Sequence, residues 1–174
     1  MWAHAALCQQ RKLELYKAMV EAKLLYGLSS LWFCKAERRR LDGFQNRCLR
    51  SIFSIQPAFI SRISNKTVLQ TSGQPRLSSI LLRRQLLIFG KVARQHPATP
   101  SRQSTFTRDS LQPLVEHFIR KIGRPRANWA REVLTEAEIM AGGHTALETL
   151  LQDASPSAVA HWKRLVSALS SDRV

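Results

Sequence analysis

Apolar residues recur along this chain at steps of three and four, the spacing that stacks side chains on one face of a helix. Leu13, Tyr16, Val20, Leu24, Gly27, Leu28 and Leu31 form one such seam and predict a first helix over residues 11–33. Gly27 on that seam lowers helix propensity, so another backbone or a bulky side chain is expected to pack close against it. After a short connection at Lys35 and Ala36, Leu41, Phe44, Cys48, Ile52 and Ile55 predict a second, antiparallel helix that Pro57 stops. Residues 64–73 read as a short helix capped by Ser64 and ended by Gly73. The next helix, over 77–94, carries two apolar faces. Leu77, Ile80, Leu81, Ile88 and Val92 lie on one, and Leu82, Leu86, Phe89 and Ala93 on the other, the pattern of a core helix between layers.

Downstream the pattern weakens and then returns. Residues 96–108, HPATPSRQSTFTR, are rich in Pro, Ser and Thr, contain no acid and read as a mobile basic loop, either an electrostatic arm for a phosphate backbone or a plain linker. A short amphipathic piece over 111–119 precedes GRPR at 123–126. That tetrapeptide copies the core of an AT-hook, or else Pro125 ends a turn before a helix with Trp129, Val133 and Leu134 inward. Residues 146–151 give another helix, and Ser155 with Pro156 forms the N-cap and N1 pair of a last one bearing Val159, Trp162, Leu165, Val166 and Leu169. The tryptophans at 2, 32, 129 and 162 follow core spacing and read as core anchors. The fold expected is all-α, an irregular bundle of about six to eight helices with a basic loop. Its parts are a basic helical stretch over 1–95, a loop over 96–109 and a helical cap over 110–174, all in one compact unit.

Composition supports a self-sufficient core. At 174 residues and 44% hydrophobic, the chain can bury enough surface to fold without metal or disulfide. Cys8, Cys34 and Cys48 are odd in number, widely spaced and without His at ligand intervals, which predicts no disulfide framework, no zinc site and a reducing compartment. No apolar run is long enough to span a bilayer and no leader pattern opens the chain. A soluble nuclear or cytoplasmic protein is expected.

Charge changes the picture most. The net charge is +15, and the excess is confined to the first two thirds: ten Lys or Arg against four acids over 1–55, nine against none over 56–108, and eight against eight over 109–174. On the second helix Arg39, Arg40, Arg47 and Arg50 stand opposite the apolar seam without the interleaved acids of an ordinary solvated face. Arg83, Arg84, Lys91 and Arg94 must emerge along the edges of the 77–94 helix. Such a surface suits a polyanion, whose condensed counterions are released as phosphates are neutralised. Catalytic signatures are missing from the pattern. The chain has no Asp-Asp pair for a two-metal site, no phosphate cradle around Gly142 and Gly143, and no His beside Glu132, Glu136 and Glu138, so no cofactor, metal or intrinsic enzymatic activity is expected.

The order of segments LYKAMVEAKLLYGLSSLW, RRLDGFQNRCLRSIFSI, TSGQPRLSSILLRRQLLIFGKVAR, GRPRANWAREV and LLQD with HWKRLV resembles the region downstream of the polymerase core in non-LTR (LINE-type) retrotransposon reverse transcriptases. The likeness covers about residues 12–169. It implies a thumb and helical linker that grip template and primer, with RNA, DNA or an RNA–DNA hybrid as ligand and an upstream polymerase core as a further partner. The positions it places near nucleic acid are Arg39, Arg40, Arg47, Arg50, Arg83, Arg84, Arg94, Arg124 and Arg126. Where the family commonly has Gly-His-Val, this chain has Gly90, Lys91 and Val92, which keeps a cation and loses an imidazole. The rival expectation is a relic or domesticated helical module that binds protein and has no nucleic-acid role.

Overall fold

The computed structural model describes residues 7–108, 110–114 and 128–169, and the fold is all-α. Helix α1 (Gln9–Leu15) passes through a π-helical stretch, Tyr16–Glu21, into α2 (Ala22–Leu25). There follow α3 (Lys35–Ile52), α4 (Ala58–Ser61), α5 (Asn65–Ser72), α6 (Leu77–Ala93), α7 (Pro100–Gln103), α8 (Trp129–Ala141), α9 (His144–Gln152) and α10 (Pro156–Ala168). Among the described residues the extended pairing is one isolated bridge between Phe106 and Pro113.

The helix expected over 11–33 stops at Leu25. Gly27 takes φ +78°, a left-handed conformation, and nothing lies within 4 Å of where a Cβ would sit, so it is a turn residue and not a site of close packing. The seam misled because Leu24, Leu25 and Leu28 join the same cluster from both sides of that turn.

The chain forms two compact units. The described part of the first comprises residues 7–29 and 33–82, and the second takes Ser30–Trp32 and residues 83–169. The division falls inside α6, between Leu82 and Arg83. The reason lies in what α6 touches: Leu77 and Leu81 join Leu25 and Leu41, whereas Phe89 meets Phe106 and Trp129.

In the first unit two apolar clusters form. Leu13, Tyr16, Leu49, Ile52, Val68 and Leu69 bury together, and Leu25, Leu41, Leu77 and Leu81 make the other. Burial pushes the Tyr16 phenol well above its ordinary pKa, and its hydroxyl meets no partner among the described residues. Polar side chains of α3 set the start of α6. Fully buried Gln45 donates Nε2–H to Pro75 O at 2.8 Å and accepts the Leu77 N–H at 2.9 Å, while Asp42 accepts the Ser78 N–H at 2.9 Å and its hydroxyl at 2.7 Å. Ser64 caps α5 by accepting the Thr67 N–H, and Gly73 ends it at φ +62°, both as the residue types predict.

In the second unit Phe89 packs edge-on to Phe106, centroids 5.4 Å apart, and 6.5 Å from Trp129. Phe106 is buried, α7 forms within residues 96–108, and Arg102 donates to Ala93 O, so this segment is an ordered part of the unit and not the free loop its composition predicts. One buried aromatic outweighs the Pro, Ser and Thr around it. Ile88 on α6 is 38% exposed, so the first apolar face opens at that point while Leu86, Phe89 and Ala93 stay buried. Asn128, Gly142 and the Ser155–Pro156 pair bound α8 and α10 through ordinary caps.

His144 at the α8–α9 turn stands 2.7 Å from Glu138 Oε1 and 3.3 Å from Glu148 Oε1. The hydrogen bond to Glu138 raises its pKa, with the two carboxylate charges adding to the effect. A folded-state pKa above the unfolded value stabilises the protein fully at acidic pH and loses that support as pH rises through the raised value. The Tm is therefore expected to fall slightly as pH rises through the raised value, and His144→Gln should remove that component of the pH dependence in thermal melts.

Candidate nucleic-acid interface

The basic face of α3 is left uncovered because its neighbouring acids are used elsewhere. Glu37 accepts the Cys34 N–H at 2.7 Å, the reciprocal half of a capping box that starts the helix. Asp42 is committed to Ser78. Arg39, Arg40 and Arg47 are exposed, and among the described residues they form no ion pair or hydrogen bond. Arg40 and Arg47 lie seven residues apart, two turns along one side of α3, with Gly43 between them adding no bulk.

Arg50 does not belong to that face. It is 7% exposed and donates Nη1–H to Gln56 O at 2.9 Å and Ser61 Oγ at 3.3 Å, and Nη2–H to Ile63 O at 2.5 Å and Asn65 Oδ1 at 3.1 Å. The chain beyond α3 folds back over this edge of the helix, a long-range event that helical periodicity does not register. Asn46, one turn earlier on the same edge, is buried as well and donates to Asp42 O.

On α6, Lys91 is exposed, Arg84 half-buried, and Arg83 exposed with Nη2–H donated to Ser167 Oγ at 3.3 Å. Arg94 turns inward. Its guanidinium donates to Gly90 O at 3.1 Å and Leu150 O at 3.2 Å, lies 5.9 Å from the Trp162 ring centroid, and has its pKa lowered by desolvation against the opposing pull of Asp153. It secures α6 to its neighbours in the second unit and does not face solvent as the helix edge predicts. Arg124 and Arg126, with the GRPR motif, lie outside the described residues.

Three further features bear on function. Arg62 and Lys66 are exposed and follow Phe59 and Ile60, which α4 presents to solvent; the periodic reading of the sequence took Lys66 only as part of the 64–73 helix and passed over the other three. An open groove of about 640 Å³ lies along α9 and α10, lined by Leu150, Asp153, His161, Arg164 and Leu165 among others. Among the described residues no cluster of His, Cys, Asp and Glu could hold a metal ion, and no helix is long and apolar enough to cross a membrane. No protein-family model matches this chain, and no curated protein or solved structure matches it.

Proposed function

We propose that the chain binds nucleic acid through the sugar–phosphate backbone, as the thumb and linker of a LINE-type reverse transcriptase would, and carries no catalytic centre of its own. The observation that carries this reading is the cationic face of α3: Arg39, Arg40 and Arg47 are exposed and, among the described residues, unpaired, while Glu37 and Asp42 are occupied. Arg83, Arg84 and Lys91 supply a second basic face on α6. Such contacts position a duplex without reading its sequence, and in A-form RNA or hybrid duplexes the major groove is too narrow for side chains to read.

The test is a salt series on an RNA–DNA hybrid and an RNA hairpin. The parent is expected to bind at micromolar or tighter affinity with a steep salt slope. Replacing Arg39, Arg40 and Arg47 by Gln should lower that log–log slope by about one unit for each phosphate no longer neutralised and weaken unrelated sequences alike. Arg50 is left intact in this variant because its guanidinium holds the fold. A folded parent that fails to bind at low salt would favour a protein-binding role, for which the groove along α9 and α10 is the surface to examine.

A further inference from the structure

Between α3 and α5 the chain makes an excursion in which Phe53 and Ile55 pack against the core, whereas α4 beyond them adds no buried residue and is nevertheless held firmly. No residue of α4 is buried, and Phe59 and Ile60 are 84% and 58% exposed. Two non-glycine residues within it, Ser54 at φ +56° and Arg62 at φ +54°, occupy the left-handed region that L side chains seldom adopt. The excursion is fastened from below by Arg50, whose donors reach Gln56 O, Ser61 Oγ, Ile63 O and Asn65 Oδ1, and Ser61 Oγ–H is donated in turn to Gln56 O and Pro57 O. Among the described residues Arg50 has no carboxylate partner, and a buried guanidinium without one is costly. Loops are ordinarily tied down so that their apolar side chains are buried; here the tie displays them.

The partner must offer a flat apolar face and negative charge together. No Asp or Glu stands anywhere between Gly43 and Arg108, and Arg62 and Lys66, both exposed, follow the displayed pair by two and six residues along the chain. Nucleic acid supplies both features in one polymer, with base faces next to phosphates. An anionic membrane would also satisfy the charge, but interfacial binding draws on an apolar face running over several turns, and α4 offers a single turn with one aromatic. One ring matches one base.

We propose that the α4 excursion is a stacking contact: Phe59 lies on an exposed base, at an unpaired nucleotide or a duplex end, Ile60 packs at its edge, and Arg62 takes the adjoining phosphate. This rests on the nucleic-acid reading above and adds to it a preference for substrates with unpaired ends. The role of Arg50 becomes one of positioning, since it holds Phe59 out of the core.

Affinities of the full chain for a hairpin with a single-stranded overhang and for a blunt duplex of equal phosphate number separate the two ideas. Phe59→Ala should weaken overhang binding by about 5- to 100-fold with the salt slope unchanged, leave the blunt duplex within about twofold, and keep the parental Tm because the ring is exposed. Phe59→Trp should retain the preference. Equal binding of the overhang by parent and Phe59→Ala overturns the stacking contact while leaving backbone binding intact if the α3 variant still lowers the slope. Absence of all nucleic-acid binding by the parent overturns both. Binding of vesicles of phosphatidylglycerol and phosphatidylcholine that depends on Phe59, without a preference for overhangs, overturns the stacking contact in favour of a membrane surface.

Discussion

Gly90→Ala is expected to lower the Tm by about 4–8 °C, whereas Gly43→Ala, also inside a helix, should raise it slightly. A Cβ on Gly90 would fall 2.3 Å from Nε1, 2.8 Å from Cε2 and 2.9 Å from Cδ1 of Trp162, and the indole cannot swing away because it is buried with the Arg94 guanidinium on its face. Overpacking of this kind costs about 3 kcal/mol, and the gain of about 1 kcal/mol in helix propensity offsets only part of it. Around Gly43 nothing lies within 4 Å, so there Ala keeps the propensity gain of about 0.5–1 kcal/mol without opposition. Combining Gly90→Ala with Trp162→Phe, which shortens the ring at the contact, should cost less than the sum of the single changes by about 1 kcal/mol or more in denaturant melts. Additive costs would show that Gly90 does not answer to Trp162.

Gly27 and Gly90 mark how far the sequence could be read. Caps announce themselves locally: Ser64 and Gly73 around α5, and Ser155 with Pro156 at α10, stand where their side-chain chemistry predicts. Apolar spacing placed α3, α6, α8 and α10 because a helix of several turns repeats its signal. Glycine carries no such signal, so Gly27 read as a close contact and is an open turn, while Gly90 gave no warning of the indole against it. Isolated anchors are hidden as well. Phe106, buried against Phe89, helps to turn a Pro- and Ser-rich segment into packed structure, together with the Arg102 bond to Ala93 O.

For the basic face the sequence placed Arg39, Arg40 and Arg47 correctly on the outer side of α3, because a local helix fixes its own outward direction. It could not place Arg50 or Arg94, whose surroundings come from residues 56–65 and from Leu150 and Trp162. Arg47 and Arg50 carry the same side chain one turn apart and serve different ends. The displayed Phe59 and Ile60 were invisible for the converse reason: a periodic search looks for apolar residues that agree with one another, and these two belong to no seam.

Arg50→Met is therefore expected to act on the fold, where Arg47→Gln acts on binding alone. Methionine keeps much of the stem but leaves Ile63 O and Asn65 Oδ1 without the guanidinium donors that now reach them, and Gln56 O with the Ser61 hydroxyl alone. Hydrogen bonds from a charged donor are worth about 1.5–3 kcal/mol each, and because part of this site is near water the total loss should be about 2–4 kcal/mol, a Tm drop of about 5–12 °C. Arg62, exposed at the end of α4, offers trypsin a cleavage point whose use reports local opening. Cleavage after Arg62 should accelerate by about tenfold or more in Arg50→Met and stay at the parental rate in Arg47→Gln. The two substitutions remove the same charge, so salt-dependent affinity and proteolysis together assign each guanidinium: one that lowers the salt slope with the fold intact faces phosphate, and one that frees the excursion holds Phe59 in place. An Arg50→Met protein with parental Tm and proteolysis but a reduced salt slope would put Arg50 back on the outer face of α3.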